Sequence, residues 1–186
     1  GTTKECLDRV IKKFKIGKNL FIGYSPERID PGNKLFNVEN ITKISSGYSN
    51  FCQTLTYTFY KTICKKVVRA SSIEAAEFAK IYENIFRSVN IGLANETKQI
   101  SKQLKIDFNE VLNLAETKPF GFMKFTPGPG VGGHCIPVDP FYLSWLAKKN
   151  KIKTKFIELS GKINFNMPIL ICREIKKYAT VNIKKK

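Results

Sequence analysis

The sequence predicts an α/β segment built on a partial parallel sheet over residues 1–70, followed by an all-helical segment over residues 71–186. Three observations carry this reading. Short apolar runs of strand character alternate with helix-like stretches up to Ala70, the order in which crossover helices join strands into a parallel sheet. Beyond Ala70 no such run recurs, and apolar residues instead repeat at steps of three, four and seven. The two regimes meet at Ser71-Ser-Ile-Glu74, which has the spacing of a capping box, in which a Ser hydroxyl and a Glu carboxylate satisfy each other's amides at a helix start.

Taken in order, Lys4 to Lys15 reads as an amphipathic helix, with Leu7, Val10, Ile11 and Phe14 at helical spacing. Leu20 to Tyr24 is a short buried strand, and Ser25 to Asn33 a loop rich in Pro, Gly and Asn. A strand over Ile41–Ser45, a helix over Phe51–Thr62 and a strand over Lys66–Ala70 complete the sheet. From Ser71 to about Leu104 one long proline-free helix places Phe78, Ile81, Ile85, Val89, Leu93 and Ile100 at core-like steps. Asp107-Phe-Asn-Glu110 caps a helix that ends before Pro119. Asp139-Pro140 sets a capping side chain before a first-turn proline, so a helix follows to Lys149, and a last one covers about Ile157 to Tyr178.

Composition bounds the function. At 186 residues, with 42% hydrophobic content, the chain can fill the core of one domain or two small ones. No apolar run approaches the roughly 20 residues of a membrane span, and the N-terminal residues lack an apolar signal region, so the expectation is a cytoplasmic protein with no membrane partner. Five scattered cysteines with one histidine and no Cys-x-x-Cys pair argue against a metal site or a disulfide framework. Cys6, Cys52, Cys64 and Cys172 are expected to be small buried hydrophobes. The charge of +17 is spread along the chain rather than gathered in a stripe, with Lys184-Lys-Lys186 a candidate electrostatic contact. The expected partners are anionic small molecules rather than nucleic acid; a basic nucleic-acid binder is the competing class, and it would show strongly salt-dependent duplex binding.

Phe125 to Pro140, FTPGPGVGGHCIPVDP, sets four glycines and four prolines around one His-Cys pair and one Asp. A thiol on so tightly specified a loop suggests covalent catalysis by Cys135. Gly128 to Gly133 also satisfies G-x-G-x-x-G, but that dinucleotide fingerprint needs a helix opening at its last glycine, and Pro137 and Pro140 oppose one. His134 is as readily structural or substrate-contacting as catalytic. Asp139 is accounted for by capping alone, although one oxygen could also order water. Lys80, Asn84 and Arg87 share one helix face at i, i+4 and i+7; they are either an ordinary polar face or a stripe for an oxyanion or pyrophosphate. A catalytic thiol needs nearby positive charge, for which Lys80 is the candidate. Glu27 lies in a loop after a strand, where parallel-sheet proteins place active groups, and is otherwise an ordinary loop acid.

Three segments, Tyr24 to Asn33 (YSPERIDPGN), Lys80 to Glu96 (KIYENIFRSVNIGLANE) and Gly128 to Asp139 (GPGVGGHCIPVD), resemble the UDP-glucose/GDP-mannose dehydrogenase family in the family's order. The nearest branch is that of the UDP-N-acetylglucosamine 6-dehydrogenases and related UDP-N-acetylhexosamine enzymes of surface-polysaccharide synthesis. The resemblance implies that residues 1–70 are the C-terminal half of an NAD-binding Rossmann-type domain. Residues 71–186 would be the helical central domain, a homodimer forming through the long helix 73–104. The family's third, UDP-binding domain is absent, and so is the glycine-rich NAD loop, so the chain reads as a fragment and its cofactor-binding residues stay unassigned.

The implied activity is NAD-dependent four-electron oxidation of the C6 alcohol of a UDP-sugar to the acid. Cys135 would form a thiohemiacetal and then a thioester. Lys80 and Asn84 would hold the oxyanion and water, Asp139 would order the catalytic water, and Glu27 would serve thioester hydrolysis as acid or base. Arg87, Gly132, Gly133 and His134 would contact the substrate. The competing reading is an inactive fragment whose surviving property is dimerisation.

Overall fold

The computed structural model describes residues 2–30, 32–33 and 35–183. Pro31 of the Ser25–Asn33 loop and the cluster Lys184-Lys-Lys186 lie outside the described residues. The chain divides into two compact units, residues 1–81 and 82–186.

The first unit holds helix α1 (Thr2–Ile11), strands β1 (Gly23–Tyr24), β2 (Lys43–Gly47) and β3 (Val67–Arg69), helix α2 (Asn50–Lys61), and the opening of α3 (Ile73–Gln103). α1 stops four residues short of its expected end because the Asn19 side chain accepts the Lys15 N–H at 2.8 Å, turning the chain there. β2 is central. It runs parallel to β3, with Lys43 opposite Val67 and Ser45 opposite Arg69, but antiparallel to β1, with Gly23 opposite Gly47. The sheet is therefore mixed, which corrects the expectation of a parallel one. The reason lies in the connections: β2 reaches β3 through α2, the crossover that parallel pairing requires, whereas the loop joining β1 to β2 holds no helix among its described residues.

α2 is capped by Ser49, whose Oγ accepts the Cys52 N–H at 3.2 Å, and Cys52 packs fully buried beneath it. Gly47 is required at the end of β2, since a Cβ there would stand 2.1 Å from the Gln53 nitrogen. Phe51, Leu55 and Phe59, one turn apart on α2, remain exposed, and Phe21 stacks at 5.5 Å on Phe51. The cap of α3 also differs from expectation. Ser72, not Ser71, takes the Ala75 N–H at 3.0 Å, and Glu74 pairs with Lys4 at 2.6 Å instead of reaching back to close a capping box.

The regular elements of the second unit are all helices, joined by loops: most of α3, then α4 (Phe108–Glu116), α5 (Asp139–Lys149) and α6 (Lys155–Ile183). Asp107 caps α4, accepting the Asn109 N–H at 2.9 Å. α3 and α5 end alike, in a left-handed lysine: Lys105 has φ 58° and Lys151 φ 60°. In each case the next N–H reaches back to an earlier carbonyl, Ile106 to Ser101 and Ile152 to Ala147, both at 2.9 Å.

The contacts of α3 with α6 climb together along both helices, so the two run side by side in the same direction. Ser88 meets Ser160, Asn95 meets Asn164, Gln99 meets Met167 and Lys102 meets Glu174. The buried side of α3 in this unit is largely small and polar, with Asn84, Ser88, Gly92, Asn95 and Ser101 beside the apolar Ile85 and Ala94. Tyr82, Phe86, Leu93 and Ile100, spaced along one other face, stay exposed. The periodicity located the helix and part of its core: of the positions it marked, Ile85 is buried and Ile81 and Val89 half-buried, whereas Phe78, Leu93 and Ile100 are exposed.

Of the cysteines, Cys52 and Cys64 are buried, but Cys6 and Cys172 are exposed, against expectation. They sit on α1 and the late turns of α6, where this chain supplies too little cover. Among the described residues no helix is long and apolar enough to cross a membrane, and no group of His, Cys, Asp and Glu could hold a metal ion.

Candidate active site

The site in the second unit is assembled where the Gly/Pro loop runs into α5. The Cys135 carbonyl accepts the N–H groups of Val138 at 3.2 Å and Asp139 at 2.8 Å. The second bond is of helical i to i−4 type, so the thiol and the carboxylate are one helical turn apart, with the thiol exposed. Asp139 does not cap α5 as expected. Val138 occupies the cap position, no side chain caps there, and Asp139 is the first helical residue.

The carboxylate is turned instead to α3, where Oδ2 accepts a 2.7 Å hydrogen bond from Nδ2 of the buried Asn84. A carboxylate only accepts, so this contact fixes which end of the Asn84 amide faces it. Asn84 and Asp139 are thus brought together, with the Cys135 backbone bonded to Asp139. Arg87 and His134 are exposed. Gly132 and Gly133 face open space, a Cβ at either meeting nothing within 4 Å, while φ of +83° at Gly133 itself favours glycine.

Lys80 and Glu27 belong to the first unit. Lys80 lies half-buried on α3, one turn before Asn84 in the helix. Glu27 is held from both oxygens: Oε1 accepts the N–H groups of Arg28 at 2.7 Å and Ile29 at 2.8 Å, and Oε2 accepts Nζ of Lys43 at 3.1 Å. Partial desolvation pulls its pKa upward. The Ile29 N–H, the Lys43 ammonium and the Arg28 N–H outweigh that and hold the carboxyl below its ordinary range. Glu27 is therefore a carboxylate near neutral pH. Lys43 itself is buried, with its ammonium also 5.3 Å from the Tyr60 ring centre.

The Gly128–Gly133 loop does not form a dinucleotide cradle. After Gly133 the chain makes turns, not a helix, until α5 opens at Asp139, and Gly130, at φ +101°, is packed against the Asn164 carbonyl of α6 rather than left open for a phosphate.

Lys43, Asn95 and Asn164 were missed in the sequence. Each carries a weak signal: a lysine inside a strand-like run, and asparagines, poor helix formers, inside helices.

The family model for the UDP-glucose/GDP-mannose dehydrogenase central domain matches residues 74–166, the span that contains Asn84, Cys135 and Asp139. The chain belongs to the UDP-glucose/GDP-mannose dehydrogenase family. Among its relatives in that family, protein CapL of Staphylococcus aureus is 42% identical over 95% of this chain and 42% of its own length. The UDP-N-acetyl-D-glucosamine 6-dehydrogenase of Pseudomonas aeruginosa is 39% identical over the same shares. Among solved structures, the UDP-D-ManNAc dehydrogenase of Pyrococcus horikoshii superposes with a TM-score of 0.85 at 29% identity, covering 98% of this chain and 43% of that one. The chain thus spans about two fifths of the length of the family members it matches.

Proposed function

We propose that this chain is the thiol-bearing part of an NAD-dependent nucleotide-sugar 6-dehydrogenase, which oxidises the C6 alcohol of a UDP-sugar, of the N-acetylhexosamine class, to the uronic acid for surface polysaccharide. The observation that supports this most is the hydrogen bond from Asn84 to Asp139, beside the turn that begins at Cys135. It joins, in one place, an amide, a carboxylate and the backbone of an exposed thiol. The N-acetyl preference rests on the names of the relatives.

NAD, when bound, would take up the two hydrides of the four-electron oxidation. The rest falls to side chains. The sulfur of Cys135 adds to the C6 aldehyde while its proton passes to the carbonyl oxygen, giving a thiohemiacetal whose carbon is again sp3. Oxidation of that carbon leaves a thioester. Water then attacks, the C–S bond breaks, and the acid and the free thiol are released. Asn84 steadies the oxyanion through the amide N–H that Asp139 leaves free, and Lys80 through its ammonium. Asp139 orders the attacking water with Oδ1, since Asn84 occupies Oδ2. Glu27, held ionised, takes a proton as base during hydrolysis. Arg87, Gly132, Gly133 and His134 contact the UDP-sugar. Residues 1–70 are the C-terminal half of the NAD-binding domain and residues 71–186 the central domain.

A second reading, a dimerisation module without activity of its own, is favoured by the exposed stripe Tyr82, Phe86, Leu93 and Ile100. That stripe borders an open groove of about 690 Å³ lined by Phe86, Leu93, Phe108, Phe122, Met123 and Phe125. In the active reading the same stripe joins two copies of the whole enzyme.

The deciding experiment counts NADH per sugar in the full-length enzyme with Cys135→Ser. The expected result is loss of acid formation with aldehyde chemistry partly retained. Two NADH per sugar from that variant would overturn the thiol mechanism.

A further inference from the structure

We propose that Asn95 is a positioning residue for the cysteine loop, acting through a one-way chain of amide hydrogen bonds that anchors the loop to α3 and α6. The inference rests on the reading of Cys135 as the reacting thiol. The Gly128 N–H donates to Asn95 Oδ1 at 2.8 Å, Asn95 Nδ2 donates to Asn164 Oδ1 at 3.1 Å, and Asn164 Nδ2 donates to the Ser88 carbonyl at 2.9 Å. A backbone N–H can only donate and a backbone carbonyl can only accept, so the two ends of the chain dictate the orientation of both amides between them. Asn95 is 0% and Asn164 2% exposed, which leaves water no access to replace a lost link. A broken link strands a buried polar group without a partner.

A second grip on the same loop comes from the backbone of Asn164. Pro168 lies inside α6 four residues later and has no N–H, so the Asn164 carbonyl lacks its helical partner. Gly130 fills that notch: a Cβ at 130 would stand 2.5 Å from the Asn164 oxygen and 3.6 Å from Pro168 Cδ. Two residues of the loop are thus held before it reaches the thiol. Its far end is held by the Cys135 carbonyl, by Asp139 on Asn84 and by the buried Pro140. Between these anchors Gly132 to Cys135 are exposed. Anchoring on both sides is what a covalent step needs, because a displacement of about 1 Å in a reacting group can cost ~10²-fold in rate.

The test compares Asn95→Ala, Asn95→Asp and Gly128→Ala in the full-length enzyme. Asn95→Asp keeps the acceptor for Gly128 but sets an oxygen against Asn164 Oδ1. Gly128→Ala keeps the N–H, and its Cβ would meet nothing nearer than the Gly130 oxygen at 4.0 Å, so it serves as the control. The readouts are acid formed against aldehyde released, kcat and KM for the sugar, and the rate at which iodoacetamide alkylates Cys135, followed by mass spectrometry. Asn95→Ala is expected to lower kcat for acid formation about 10- to 100-fold with KM nearly unchanged, to raise aldehyde release, and to change the alkylation rate; Asn95→Asp should fall between it and the control. A purely structural role would lower the folded fraction without moving the acid-to-aldehyde ratio of the molecules that remain folded. Wild-type ratio and alkylation rate in folded Asn95→Ala would overturn the proposal, and if that variant does not fold, the same two results in Asn95→Asp would do so. If Cys135→Ser still makes acid, the reading of the thiol fails instead, while the alkylation rates still decide whether Asn95 sets the loop.

Discussion

Asn84 donates 2.7 Å to Asp139 Oδ2 and so ties the middle of α3 to the first turn of α5, the turn whose opening carbonyl is that of Cys135. The donor is buried, so the bond sets the direction of the carboxylate.

Asp139→Asn removes the charge and keeps the shape. In the full-length enzyme, kcat for acid formation is expected to fall about 10²-fold or more, with the midpoint of thermal unfolding little changed. Steady-state kinetics with a melting curve check this, and unchanged kcat would remove Asp139 from the site.

The Ile29 N–H, the Lys43 ammonium and the Arg28 N–H together outweigh desolvation at Glu27, and this gives stability a pH dependence of known sign. The carboxyl lies below its ordinary value in the folded chain, so its contribution is present above the unfolded carboxylate range, near ~4.3, and is lost as pH falls through the lower folded value. Because the Glu27 side chain is 63% exposed, solvent screening limits the pair to about 0.5–1 kcal/mol. Lys43→Met should therefore cost about that much near pH 7, and the difference from the parent should shrink toward about pH 3. Urea unfolding across that range measures it.

Lys105 and Lys151 hold left-handed conformations that favour glycine. Lys105→Gly and Lys151→Gly should each stabilise the protein by about 0.5–1 kcal/mol, the relief of side-chain strain exceeding the added freedom of the unfolded chain. Thermal or urea unfolding of each variant reads this directly, and destabilisation would contradict the strain.

Leu93→Asp places a charge in the middle of the exposed stripe of α3. On the proposed dimer through this stripe, sedimentation should show the full-length variant shifted toward a monomer by at least about tenfold in dissociation constant, as expected for a central apolar contact. Identical association would overturn the stripe as the proposed interface.

The sequence made the helices legible because their ends are written in short-range chemistry: Asp107 caps α4, and the proline-free span after Ser72 is one helix. It revealed only part of the buried side of α3. Periodicity marks the apolar face, and here Asn84, Ser88, Gly92 and Asn95 are buried beside Ile85, leaving Leu93 and Ile100 exposed. The direction of β1 was equally hidden, since it depends on a loop that returns without a helix. For the site, local spacing suggested that Asp139 caps α5; its actual partner, Asn84, lies 55 residues away, beyond the reach of any local rule. Lys43 was overlooked for a related reason, because a strand lysine reads as solvated until its carboxylate partner is known.

Pro168 interrupts the hydrogen bonding of α6 at the carbonyl against which Gly130 rests. A seamless helix would have that oxygen engaged by its own backbone N–H four residues on. Transplanting the thiol segment into another helical scaffold therefore means carrying this discontinuity with it, at the same register, or the graft will seat too high.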